Sequence, residues 1–183
     1  TYIMNSRDMC MIDHLDDLMD AGLNSLKIEG RAKSAYYAAI VTGAYRHCLD
    51  DVAAGRPVDS VWRDEVEHVS HRRYSTGFYY GQPGQYCESA RYIRQWQVCA
   101  IVTACSNDGM ATLSLRNKFR AGDTVEIVGP DTKPFSMTVP EMEDMEGQAL
   151  EEPRTPQMLF RMRLPAAVPA YSIVRHAVEL SAK

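Results

Sequence analysis

A chain of 183 residues with 45% hydrophobic and 24% charged residues has the makeup of an ordinary folded protein, long enough for one or two domains. Its net charge is −4, and in neither half do basic residues outnumber acidic ones. A global field for nucleic acid or membrane is thereby excluded, and any RNA contact must come from a local patch.

Tyr2–Met4 reads as a short strand with no lead-in, as if the chain were cut from something larger. Asn5 or Ser6 is expected to cap a helix. On it Met11, Ile12, Leu15, Leu18 and Met19 recur at helical spacing, with Asp13, Asp16, Asp17 and Asp20 opposite. Gly22 is a good stop for that helix. Ser25–Glu29 reads as a second strand. A second helix is predicted from Ser34 to Ala54, its inner face formed by Tyr37, Ile40, Val41, Ala44, Tyr45 and Leu49. Gly55 and Pro57 end it. Asp59 or Ser60 caps a third, shorter helix through about Val69. Strand, helix, strand, helix is the repeat of a parallel α/β fold. Two such units cannot close a barrel of about eight strands. Residues 1–81 are therefore read as the terminal βα units of an incomplete TIM-like barrel.

A run rich in Gly, Tyr and Arg follows, with residues 82–94 read as a linker. Beyond it the period becomes β. Trp96, Val98, Ala100 and Val102 alternate, as do Ala111, Leu113 and Leu115, with Asn107-Asp108-Gly109 as the turn between them. Ala121-Gly122-Asp123 leads into a strand at Thr124–Val128. Further strands are predicted at Phe135–Val139, Met158–Arg163 and Tyr171–His176. Residues 95–183 thus read as a small β-barrel of about six strands. The acidic stretch Glu141–Glu152 is expected to be a solvated loop. No apolar run reaches the ~18 residues that span a bilayer, and no secretory signal is visible.

Lys27, Glu29, Arg31 and Lys33 stand at alternate positions where the second strand meets its helix. Charges on one face of a buried strand end are costly unless they serve a site or pair with each other. In barrels of alternating strands and helices that end carries the chemistry. Arg and Lys supply donors for a carboxylate or phosphate, and Glu29 would orient them. Arg7, on the neighbouring strand end, would share the same mouth. Cys10 falls in the first turn of its predicted helix, where the macrodipole favours a thiolate, although a lone helical cysteine is also a common core residue. His71, Arg72, Arg73 and Tyr74 form a basic cluster with an interleaved aromatic, a pattern suited to RNA through phosphate charge and base stacking, or to an exposed linker. Lys118, with Arg116 and Arg120, would extend such a patch or read simply as solvated loop charge. The five cysteines (Cys10, Cys48, Cys87, Cys99, Cys105) show no CxxC and no paired Cys/His spacing, which points to reduced thiols and a cytoplasmic location. Cys99 and Cys105 read as core packing. There is no HExxH, P-loop, GxGxxG or nucleophile–base arrangement.

Four segments occur in order: Asn5-Ser6-Arg7-Asp8-Met9-Cys10-Met11-Ile12, Ser25-Leu26-Lys27-Ile28-Glu29-Gly30-Arg31, Lys33-Ser34-Ala35-Tyr36-Tyr37 and Thr76-Gly77-Phe78-Tyr79-Tyr80-Gly81. Together they resemble the collagenase-like peptidases, number thirty-two of the peptidase families of unknown mechanism. Asn117-Lys118-Phe119-Arg120-Ala121-Gly122-Asp123 resembles, more loosely, that family's C-terminal β-barrel domain. The resemblance implies a longer protein with a further N-terminal portion. It implies a role in RNA modification, closest to the branch that hydroxylates a tRNA wobble uridine using prephenate, with Lys27, Glu29 and Arg31 as catalytic residues. Arg7, Lys33, Arg72, Arg73, Tyr74 and Lys118 would contact substrate or RNA, and the barrel would grip tRNA. Some family members hold a [4Fe–4S] cluster, so Cys10 would be one ligand in the full-length protein, with no cofactor expected in this chain alone. The family name implies the alternative of a collagenase-like peptide hydrolase. A non-catalytic binding module is the third reading. The chain alone is expected to be catalytically inert, without membrane contact, and prone to dimerise through exposed barrel edges.

Overall fold

The computed structural model describes residues 4–87, 89 and 91–178. The chain divides into two compact units, Thr1–Gln95 and Trp96–Lys183.

In the N-terminal unit, strand β1 (Asp8–Met9) lies parallel to β2 (Tyr74–Ser75), with Asp8 opposite Tyr74 and Met9 opposite Ser75. Between them run α1 (Leu15–Asp20), α2 (Ala35–Ala53) and α3 (Ser60–Glu65). Helix α2 starts where its cap dictates: the Ser34 side chain accepts the Tyr37 N–H at 3.2 Å. Asp59 does the same for α3, accepting the Val61 N–H at 3.0 Å. Met11, Ile12, Leu15 and Leu18 pack with Ala44, Cys48, Trp62 and Val66 into one core. The His47 ring stacks on Trp62 with centroids 3.9 Å apart.

Several expectations change here. The predicted first strand falls largely on residues outside the described set. Asn5 and Ser6 cap no helix, because β1 intervenes and helical structure begins only with a 3₁₀ turn at Ile12–His14. The Asn5 amide instead donates to the carbonyls of Tyr86 and Ser89 at 2.9 and 2.8 Å. Ser25–Glu29 is not a strand. A strand needs a partner ladder, and the one parallel ladder among the described residues of this unit joins β1 to β2. Helix α3 stops at Glu65, where bonds from Glu67 to Asp64 and from His68 to Glu65 tighten the chain into short turns. In the stretch read as a linker, Ser6 bridges Gln85 and His71 bridges Ile93.

The C-terminal unit is an antiparallel sheet of β3 (Trp96–Cys105), β4 (Met110–Leu115), β5 (Thr124–Gly129), β6 (Thr132–Thr138), β7 (Met142–Glu143), β8 (Ala149–Leu150), β9 (Leu159–Arg163) and β10 (Ile173–Ala177). Their order is β6-β5-β10-β3-β4-β9-β7-β8. The acidic stretch expected to be a loop supplies β7 and β8, because Met142 is apolar and pairs with Met162 over the core. The sheet wraps one core that includes Leu113, Ile127, Phe160 and Val174. No ladder among the described residues joins β6 to β8, so the hydrogen-bonded order is open rather than that of a closed barrel. The turn at Asn107-Asp108-Gly109 forms as expected. Gly109 has φ +86°, and a Cβ there would stand 2.5 Å from the Leu164 carbonyl oxygen, so only glycine fits. No described helix is long and apolar enough to cross a membrane.

Candidate functional site

The β1–β2 ladder places a cluster of cations around one carboxylate. Asp8 accepts from the Arg72 backbone N–H at 3.0 Å and from Arg72 Nε at 2.8 Å. Lys33 Nζ stands 3.6 Å from the same carboxylate and donates to the Ser70 carbonyl at 2.8 Å. Its ammonium lies over the Tyr92 ring at 4.1 Å and near Tyr37 at 5.2 Å. Burial works to raise the Asp8 carboxyl, but the Arg72 hydrogen bonds and the Arg72 and Lys33 charges outweigh it, holding the group below its ordinary 3.8. Lys33 and Asp8 are 17% and 19% exposed, so this is a partly sheltered network rather than a surface pair.

Alternation along the ladder puts Arg73 on the other face from Arg72 and Tyr74. Arg73 is exposed, and its guanidinium lies 4.8 Å from the Tyr86 ring. Tyr74 turns inward: its hydroxyl donates to the Val66 carbonyl at 2.7 Å and its ring stacks on buried His71 at 4.3 Å. Of the basic cluster expected to meet RNA, Arg72 is thus committed to Asp8 and Tyr74 to the core, while Arg73 remains outward. Arg7 is half-buried, and its Nε is buried with no hydrogen-bond partner among the described residues.

Lys27, Glu29 and Arg31 are not gathered at a strand end. All three are exposed, and the contact that orders them is the Arg31 backbone N–H donating to Glu29 Oε1 at 2.9 Å. Lys118 is exposed in the loop after β4, where the next residue, Phe119, anchors the loop by packing edge-on against Phe160 at 5.8 Å.

Cys10 lies just before the 3₁₀ turn, with Sγ 3.6 Å from the Tyr45 hydroxyl. Burial pushes its thiol up, so the expected thiolate is not favoured; a three-residue turn offers little dipole to oppose that burial. A four-cysteine cluster needs more than this. No group of three or more His, Cys, Asp or Glu close enough to hold a metal includes Cys10 among the described residues. The residues of this chain therefore do not by themselves fit such a group.

Residues 1–89 match the family model described as peptidase family U32, and residues 94–175 match that of the peptidase family U32 C-terminal domain. The chain belongs to peptidase family U32. Among U32 relatives, the chain is 36% identical over 158 residues to the tRNA hydroxylation protein P of Escherichia coli, covering 82% of this chain and 34% of that protein. It is 30% identical over 170 residues to the tRNA hydroxylation protein P1 of Bacillus subtilis, covering 89% and 40%. It is also 29% identical over 139 residues to a collagenase of Porphyromonas gingivalis, covering 72% and 38%. A solved C-terminal domain from a U32 protein of Geobacillus thermoleovorans aligns with a TM-score of 0.42 at 27% identity, covering 44% of this chain and 99% of that one. The chain thus spans between 34% and 40% of the length of these curated relatives.

Asp8 and Tyr92 are the members of the cluster that residue spacing did not single out. Asp8 stands inside the family motif beside Arg7, and an acid in a row of otherwise basic candidates is the signal that marks it. Tyr92 carries none, since it lies in the stretch expected to be a linker.

Proposed function

We propose that this chain is the C-terminal part of a protein that takes part in hydroxylating a tRNA uridine at the wobble position. What supports the reading is the identity, across both units, to two proteins named for tRNA hydroxylation. The cations on the β1–β2 ladder suit such a substrate, because RNA affinity rests on phosphate charge. In this reading residues 1–81 complete a TIM-like barrel with sequence outside this chain, and prephenate's carboxylates meet the cations at its mouth. Cys10 would supply one ligand to a cluster whose other three come from outside this chain, and the sheet of the second unit holds the RNA.

A second reading, peptide hydrolysis, draws on the likeness to a collagenase. It needs a nucleophile with a base or a metal-bound water. Cys10, bonded to a tyrosine hydroxyl rather than a histidine, is poorly placed for the first.

The deciding experiment is mass spectrometry of tRNA nucleosides from the source organism with and without the complete gene. Loss of the 5-hydroxyuridine-derived modifications on deletion supports the hydroxylation reading. Unchanged tRNA removes it and brings peptide hydrolysis forward.

A further inference from the structure

We infer that Arg7 and Arg73 together form a cradle for an oxyanion, a phosphate or a carboxylate. The inference deepens the hydroxylation reading, which supplies the choice of RNA as a probe. Strand register brings the two arginines together. Asp8 stands opposite Tyr74, and one step back along the ladder the Asp8 N–H donates to the Arg73 carbonyl at 3.1 Å. Arg7 and Arg73, each one residue before its strand, therefore stand at corresponding positions at the end of the ladder. Side chains alternate, so both fall on the face opposite Asp8 and Tyr74. The neighbouring contacts agree: Tyr86 is bonded to Asn5 through both backbone and side chain, and Arg73 lies over the Tyr86 ring.

The charge balance of this face is the second observation. Asp8 is turned to the other side, where Arg72 and Lys33 already occupy it. Among the described residues none forms an ion pair with Arg7 or Arg73, and none bonds the buried Arg7 Nε. A buried N–H of a guanidinium left unbonded is costly, and native proteins rarely retain one without a use. Two arginines with forked donors, neither paired with a carboxylate among the described residues, suit an oxyanion, which would satisfy the orphan N–H. The Tyr86 ring holds the Arg73 plane in place.

The test uses the complete gene product and three variants: Arg73→Ala, Arg73→Lys and Arg7→Met. One arm titrates tRNA at several salt concentrations. The other follows the thermal midpoint with added inorganic phosphate or a small dicarboxylate. Arg73→Ala and Arg7→Met are expected to weaken binding about tenfold, and in the RNA arm to flatten the salt slope by about one for each phosphate left without its arginine. Arg73→Lys keeps the charge but loses the fork, and falls between. Arg7→Met is further expected to keep or raise the midpoint of the unliganded protein, since it removes an unsatisfied charge, while abolishing the rise that phosphate or dicarboxylate gives the wild type. Loss confined to the RNA arm assigns the cradle to a phosphodiester; loss confined to the dicarboxylate assigns it to a small carboxylate. Wild-type behaviour of Arg73→Ala in both arms overturns the inference, and because Arg73 is exposed this variant decides even where Arg7→Met does not fold. Loss of anion binding alongside unchanged tRNA nucleosides on gene deletion would keep the cradle and sink the hydroxylation reading.

Discussion

Arg72 grips Asp8 from both ends of the carboxylate: its backbone N–H donates to Oδ2 at 3.0 Å, while Nε donates to Oδ1 at 2.8 Å and Nη2 stands 2.8 Å from that same oxygen. Asp8→Ala removes the acceptor and leaves Arg72 and Lys33 without a counter-charge. The expected cost is about 2–3 kcal/mol, read as a lower urea midpoint at unchanged slope. Asp8→Asn keeps one carbonyl acceptor and should lose less. A shift under about 0.5 kcal/mol for the alanine variant would show the pair to be idle.

Lys27 and Arg31 form no ion pair among the described residues and are exposed. Replacing either with alanine should move stability by no more than about 0.5 kcal/mol. Any defect in tRNA modification caused by these variants would then report on function rather than folding. A loss above about 1 kcal/mol would reveal a structural role instead.

Arg175 is fully buried and bonded to Glu126, directly opposite it in the β5–β10 register, with its guanidinium 4.6 Å from the Trp96 ring. Glu126→Ala removes the carboxylate bonded to that buried charge and should cost roughly 3–5 kcal/mol. Pairing it with Arg175→Met should recover much of the loss, because the apolar side chain needs no partner. A double variant no more stable than the single one would argue that Arg175 is held chiefly by its other contacts.

Burial and the nearby Asp123 charge push the Cys99 thiol up from 9.0 to about 12. The folded state thus keeps a proton that the unfolded chain releases. The stabilising contribution is whole below 9.0 and is lost as pH rises from there towards about 12. Urea midpoints of the wild type should fall more steeply above about pH 9 than those of Cys99→Ala. At neutral pH a thiol reagent should modify exposed Cys87 at once and Cys99 only on unfolding. Equal rates for the two would contradict the packing of the C-terminal core.

Helix α2 could be read from the chain because its signals are local: a serine cap and an apolar stripe at helical spacing. The six longer strands were legible for the same reason, each alternating and bounded by turn residues. Ser25–Glu29 misled because it has the pattern of a strand, and pattern cannot supply the partner that a ladder requires. β7 and β8 were hidden by surrounding acids, which mask the apolar contact made by Met142. In the candidate site, spacing drew attention to Lys27, Glu29 and Arg31, which are close in sequence. The grouping of Asp8, Lys33, Arg72 and Tyr92 depends on a register between distant segments, and no local rule encodes it.

That register also sets an order of events. Asp8 and Arg72 are 64 residues apart, and the ladder that joins their segments has only two residues on each side. So short a ladder cannot nucleate on its own, because the entropy of closing so long a loop is met by very few bonds. It must form after the intervening helices have packed and brought its ends together. Arg7 and Arg73 consequently reach their corresponding positions late in folding and part early in unfolding, so a partly loosened protein would release a bound anion while its helices were still intact.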